Sequence, residues 1–253
     1  MSDDEISPGG SEILRHEHID RPFVPGRPAP NAEEVEEHIS RVVGEAGTVF
    51  HEIVSDLIHL DVNIVRPAPG RHWWTLFTAG MSALPMSVPE GRGDLRFAEL
   101  VIKLPASWKI DQMQVTPPRQ DMEAMYWPIR GLKNLARLPH DYHTFLGSGH
   151  TVPNGDPPVP LAKETALCAW LILPLLGVPS DLQASRLSND SVLNLYAVHA
   201  IHRDELELKL SKGTSALLDA FDRAHVTAVL DPARPSSVAS DRRRGLRGLF
   251  GRD

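Results

Sequence analysis

Twelve histidines in 253 residues make metal-ligand chemistry the first thing to weigh in this sequence. The densest group is His51, Glu52, Asp56, His59 and Asp61. His51-Glu52 could open the zinc-protease helix motif H-E-x-x-H, in which two histidines four apart share one helical face. The position four after His51 is Ser55, so that logic fails. On a strand, His59 and Asp61 would point the same way, about 7 Å apart. His51, Glu52, His59 and Asp61 therefore form the alternative candidate set, for a metal-dependent enzyme. A solvated or hydrogen-bonded polar strand face is the plainer expectation. It is the one adopted, with no metal or cofactor expected.

A second group, His140, Asp141, His143 and His150, lies in a loop after a helix, where function often sits. Its spacing matches no metal signature. Gly147-Ser148-Gly149-His150 is neither the G-x-S-x-G of a nucleophile elbow nor a phosphate loop, and reads as a glycine-kinked strand or turn. Asn154 and Asp156 flank Gly155 as turn residues do. Cys168, the only cysteine, can form no internal disulfide, and its apolar run predicts a buried, inert thiol. With no complete catalytic constellation, the chain is not expected to be an enzyme.

The net charge is −7 with histidine neutral. The body shows no concentrated basic face of the kind nucleic-acid binding needs, and a basic partner is favoured instead. The N-terminus Met1-Ser2-Asp3-Asp4-Glu5 is acidic where a signal peptide is basic. The longest apolar run, Leu167 to Leu176, is far short of the roughly 18 residues that span a bilayer. A cytoplasmic protein without a transmembrane segment is expected.

The elements that must position these residues follow from periodicity. Residues 1–30 are Pro-, Gly- and charge-rich and read as a disordered tail. Asn31 can cap a first helix, with Glu34 in a capping-box position, an apolar stripe of Val35, Ile39, Val42 and Val43, and a stop at Gly44. Ile58, Leu60, Val62 and Ile64 alternate as a one-sided strand. Residues 73–79 are apolar on both faces, as in a central strand. Ala98, Leu100, Ile102 and Leu104 alternate up to Pro105. A second helix begins at Pro128, carries Ile129, Leu132, Leu135 and Ala136 inward, and is expected to stop at Pro139. Two apolar runs, 167–173 and 192–201, read as buried strands, and 204–224 as helix, broken at Gly213. Strands and helices mix without βαβ alternation. This predicts an α+β fold, with a mixed, largely antiparallel central sheet flanked by helices. The folded domain is expected over 31–230. Residues 231–253 read as a disordered tail holding Arg242, Arg243, Arg244 and Arg247, which could dock on an acidic surface, a membrane or RNA, the alternative being an adaptor anchored through this end to a scaffold or membrane.

Several stretches in order resemble the suppressor of fused family, particularly its bacterial single-domain members. They are 50–56 (FHEIVSD), 77–82 (FTAGMS), 96–100 (RFAEL), 126–130 (YWPIR), 135–137 (LAR), 147–158 (GSGHTVPNGDPP) and 205–210 (ELELKL). The resemblance implies one domain like the N-terminal domain of the animal proteins. Animal members are not enzymes, and grip a partner peptide as an added strand. For bacterial relatives it implies an immunity or antitoxin-like role, in which a protein partner such as a basic toxin is neutralised or sequestered. The extended stretch 144–150 aligns with the peptide-gripping region. Thr144, Phe145, Ser148, His150, Asn154 and Asp156 are thus the candidate partner-binding residues. The tyrosine and aspartate that animal members use fall at Leu138 and Gly149 here, which implies a different partner.

Overall fold

The structure is a computed structural model that describes residues 5–16, 20–26, 32–52, 55–113, 124–175 and 177–238. Asn31 and the arginine-rich end lie outside these residues. The elements, in chain order, are β1 (Glu5–Ile6), β2 (Glu12–Ile13), α1 (Ala32–Val43), β3 (Thr48–Phe50), β4 (Asp61–Val65), β5 (Trp73–Ala79) and β6 (Phe97–Pro105). The single turn α2 (Ile110–Met113), α3 (Trp127–Asp141), β7 (Thr151–Pro153), β8 (Ala169–Pro174) and the short α4 (Ser180–Gln183) follow. Last come β9 (Ala184–Arg186), β10 (Val192–Ile201), α5 (Arg203–Lys212) and α6 (Thr214–Ala224). The chain forms two compact units: Glu17–His150 with Ile172–His199, and Met1–His16 with Thr151–Leu171 and Ala200–Asp253.

In the larger unit the strand order is β3-β4-β5-β6-β10, with β9 also on β10. Neighbours are antiparallel except β6 and β10, which run parallel. The mixed, mostly antiparallel α+β arrangement is the one the pattern predicts. β5 sits between β4 and β6 and is buried from Trp74 through Thr78, as its two-sided apolar run requires. Phe77 and Val101 join Val35, Ile39 and Val43 of α1 in one apolar cluster. By strand alternation Leu76, Leu100 and Ile102 face the other way. α3 packs against β4, β5 and β6.

Three local expectations change. β4 and β6 alternate in sequence, yet Asn63 and Glu99 on their polar positions are buried. The regular strand also begins only at Asp61, although Ile58 and Leu60 are buried ahead of it. And α3 does not stop at Pro139 but runs on to Asp141. Pro139 forfeits one bond, from its own missing N–H to the Leu135 carbonyl, and beyond it Tyr142 donates to the Leu138 carbonyl and Thr144 to that of Pro139.

Glu99 is a fully buried carboxylate in the sheet. Its Oε1 accepts from the Gly80 N–H (3.0 Å), the Ser82 N–H (2.9 Å) and the Ser82 hydroxyl (2.7 Å). Its Oε2 accepts from the Thr78 hydroxyl at 2.6 Å. Burial pushes the Glu99 carboxyl above its ordinary value, and these four donors pull against that rise. The turn needs glycine at Gly80, whose φ is 124° and whose Cβ would run into the His59 carbonyl.

The smaller unit pairs β7 with β8 and adds the helices α5 and α6, separated at Gly213 (φ 87°) as expected. Here parts of both expected tails, residues 5–16 and 231–238, pack into the unit. The β1–β2 hairpin sets the Gly9 N–H on the Leu210 carbonyl at 2.7 Å, satisfying an orphan acceptor at the end of α5. At the other end Arg234 clamps Glu205 with both guanidinium nitrogens, each at 2.6 Å. The Ser237 N–H and hydroxyl and the His202 N–H also donate to Glu205, all at 2.8 Å. The ordered chain therefore continues to at least Val238, because a fully buried glutamate cannot go unpaired. Among the described residues no helix is long and apolar enough to cross a membrane.

Burial alone would raise the Glu205 carboxyl, but Arg234 and the N–H donors outweigh it and hold the group below its ordinary value. A depressed folded pKa contributes stability above the unfolded value of about 4.3, lost as pH falls through the folded one. Arg234→Ala is expected to cost about 3–5 kcal/mol near pH 7, where it strands a buried carboxylate. The loss should shrink toward pH 4, where Glu205 can take up a proton. Urea unfolding of both proteins at the two pH values checks this; an equal loss at both would contradict it.

Candidate functional site

The candidate partner-binding residues divide between the units. In the larger unit, residues 147–150 form a turn in which the His150 N–H donates to the Gly147 carbonyl at 3.1 Å. Gly149 has φ 84° while Ser148 does not have a positive φ, the signature of a type II turn. The Gly149 N–H donates to the Ile172 carbonyl (2.8 Å), and the Ile172 N–H donates to the His150 carbonyl (2.9 Å). Two residues thus oppose one, which is a glycine-type β-bulge. The reading of Gly147-Ser148-Gly149-His150 as a kinked turn matches this geometry, and the bulge sets the direction of His150. The His150 ring meets Phe145 edge-on, with centroids 4.8 Å apart. Ser148 is exposed, whereas Thr144 is buried and its carbonyl accepts from the Ser87 N–H at 3.0 Å. Thr144 holds this segment in place rather than presenting a surface.

In the smaller unit β7 pairs with β8 and, among the described residues, with no other strand. Val152 faces Trp170 in the register, and the Asn154 N–H donates to the Cys168 carbonyl at 2.9 Å. Antiparallel alternation then turns the Thr151 N–H and C=O and the Pro153 C=O away from β8, toward the open edge. Asn154 closes the following loop, its amide donating to the carbonyls of Val159 (3.1 Å) and Pro160 (2.9 Å). Asp156 is exposed, ahead of a cis bond to Pro157.

The histidine-rich segment belongs to the larger unit. The structure gathers His51, His59 and Asp61 but takes Glu52 elsewhere. Glu52 pairs with Arg137 of α3, which also donates to the carbonyls of Asp56 (2.7 Å) and Ile58 (3.3 Å). The Asp56 side chain accepts from Arg21 and from the Val24 N–H, both at 2.9 Å. Hydrogen bonding to Arg21 holds the Asp56 carboxyl below its usual range. Residues 20–26, expected as tail, are strapped to this loop. His140 is buried and its Nε2 lies 3.0 Å from the Met81 carbonyl, and burial pushes its pKa down. Cys168 is buried, as expected, and burial raises its thiol pKa. Arg137, Arg234 and Glu99 were not singled out from the sequence. A glutamate inside the apolar run of β6 was the one signal available, since a charge there needs built-in donors.

The mixed sheet with flanking helices is the fold of solved suppressor of fused structures, a protein-interaction fold. The sequence profile described as "Suppressor of fused protein (SUFU)" matches residues 56–235, and the chain belongs to that family. The crystal structure of the Sufu–Fu complex superposes with a TM-score of 0.59 at 14% identity, covering 87% of this chain and 97% of that one. A suppressor of fused homolog from Neisseria gonorrhoeae FA 1090 gives 0.56 at 18% identity, covering 81% and 96%. Drosophila Suppressor of Fused gives 0.57 at 16% identity and covers 91% of this chain, which spans 56% of the Drosophila chain. No curated protein matches the sequence.

Gly149→Ala is expected to destabilise the protein by about 1–2 kcal/mol, the cost of a side chain in the left-handed region. It should also shift the amide resonances of His150 and Ile172 more than those of β4. Urea titration and two-dimensional NMR check both; unchanged bulge resonances would contradict the assignment.

Proposed function

We propose that this chain is a non-enzymatic protein-binding module that takes an extended segment of a partner protein along the open edge of β7. The observation that carries the reading is that edge. Its Thr151 N–H, Thr151 C=O and Pro153 C=O point away from β8, the arrangement that strand addition uses. The Sufu–Fu complex is a precedent for a protein partner on this fold. The exposed Asp156 lies three residues after the edge strand ends at Pro153. The exposed Ser148 and the half-buried His150 precede it. With a net charge of −7, the protein suits a basic partner, and neutralising a basic toxin in the cytoplasm is the role that fits best.

The test is capture of partners from the cell that makes the protein, followed by affinity measurement with the purified partner. Thr151→Pro removes one outward N–H and no ladder bond to β8. It should weaken binding at least tenfold with little change in melting temperature. Binding should also fall as salt rises. Equal affinity for wild type and Thr151→Pro would overturn the edge-strand reading.

A further inference from the structure

We infer that His51, His59 and Asp61 bind one divalent transition cation, for which Zn²⁺ is the probe. The site lies within the larger unit and is independent of the β7 edge. One ligand atom from each of the three residues lies within 4.8 Å of the others. His51 Nδ1 is 3.1 Å from Asp61 Oδ2, and His59 Nε2 is 3.3 Å from Asp61 Oδ1. Ligands bound at about 2.0–2.2 Å around a tetrahedral ion stand roughly 3.3 Å apart, and each imidazole already stands at that spacing from one Asp61 oxygen, His51 from Oδ2 and His59 from Oδ1. Two imidazoles with one carboxylate suit zinc and its neighbours, and three protein ligands leave a coordination position open.

The surroundings orient the donors. The Ser55 hydroxyl lies 2.9 Å from His59 Nδ1, which leaves Nε2 as the nitrogen facing Asp61. The Glu52 N–H donates to Asp61 Oδ1 at 3.2 Å. Supporting bonds of this kind fix ligand geometry at metal sites. Arg137 grips the same loop through Glu52 and the carbonyls of Asp56 and Ile58, which sets the backbone between the ligands. Asp61 is 18% exposed and His59 36%, so both are partly shielded, while His51 reaches Asp61 from a largely exposed position at 72%. Glu52, tied to Arg137, is a positioning residue and not a ligand. Lys133 carries the opposing influence, since its charge acts on both Glu52 and Asp61 and an ion must compete with it.

Calorimetric titration of the chelator-treated full chain with Zn²⁺, with elemental analysis of the dialysed complex, tests the site. One Zn²⁺ per chain is expected. His59→Gln and Asp61→Asn should each weaken binding at least tenfold, and the exposed His72→Gln should leave it unchanged. If Asp61→Asn misfolds by circular dichroism, His51→Gln carries the same expectation on a largely exposed side chain. Absence of 1:1 binding, or binding unaffected by the ligand substitutions, overturns the inference. So does an equal loss in His72→Gln, which would mean scattered surface histidines.

Discussion

A carboxylate with no access to water sits in the middle of the sheet, and much of the larger unit is arranged to make that tolerable. Glu99 needs donors on both oxygens, and β5 with the turn after it supplies them from Thr78, Gly80 and Ser82. The Thr78 hydroxyl in turn accepts the Leu100 N–H at 2.8 Å, so the network locks β5 against β6 in a single register. Slipping the pairing by one residue would carry the carboxylate to the wrong face and leave it uncompensated. The turn so fixed places the Met81 carbonyl against His140, and this ties α3 to the same centre.

Two of the stretches that carry the family resemblance thereby gain a shared physical reason. Thr78, Gly80 and Ser82 lie in one and Glu99 in another, and they are donors and acceptor of one network. The same holds for Glu52 and Asp56 in the stretch 50–56 and Arg137 in 135–137, which meet across the larger unit. Glu205 of the stretch 205–210 finds its counter-ion at Arg234, inside the span matched by the family profile. Each pair joins residues distant in sequence, so each acts as a check on the fold rather than on a local element. Leaving either of the buried acids, Glu99 or Glu205, alone costs more than a typical point substitution.

Apolar periodicity made the framework legible. α1, β5, β6, β8, β10 and the helical pair divided at Gly213 all fall where their patterns put them, because burying apolar surface dominates those segments. What escaped the pattern was polar and long-range. Residues 5–16 and 20–26 look like tail by composition, but backbone bonds to Leu210 and side-chain bonds to Asp56 hold them, and hydropathy is blind to both. Arg234 sits in a Pro- and Ser-rich stretch whose order depends on one glutamate 29 positions earlier. In the histidine-rich segment, spacing brought His59 and Asp61 together, but only the fold could bring in His51 and draw Glu52 away to Arg137.

The smaller unit is stitched from three separated stretches of chain, and the chain crosses between units after residues 16, 150, 171 and 199. During synthesis the β7 edge can be made early, but the clamp on Glu205 cannot close until Arg234 has left the ribosome. Chains fold from the N-terminus as they emerge at about 5–20 residues per second, so the larger unit gains most of its strands several seconds before the smaller one can be completed. The ordering completes the unit that carries β7 only when nearly the whole family-matched span exists. A nascent chain stalled before Arg234 would carry that edge on an unfinished support.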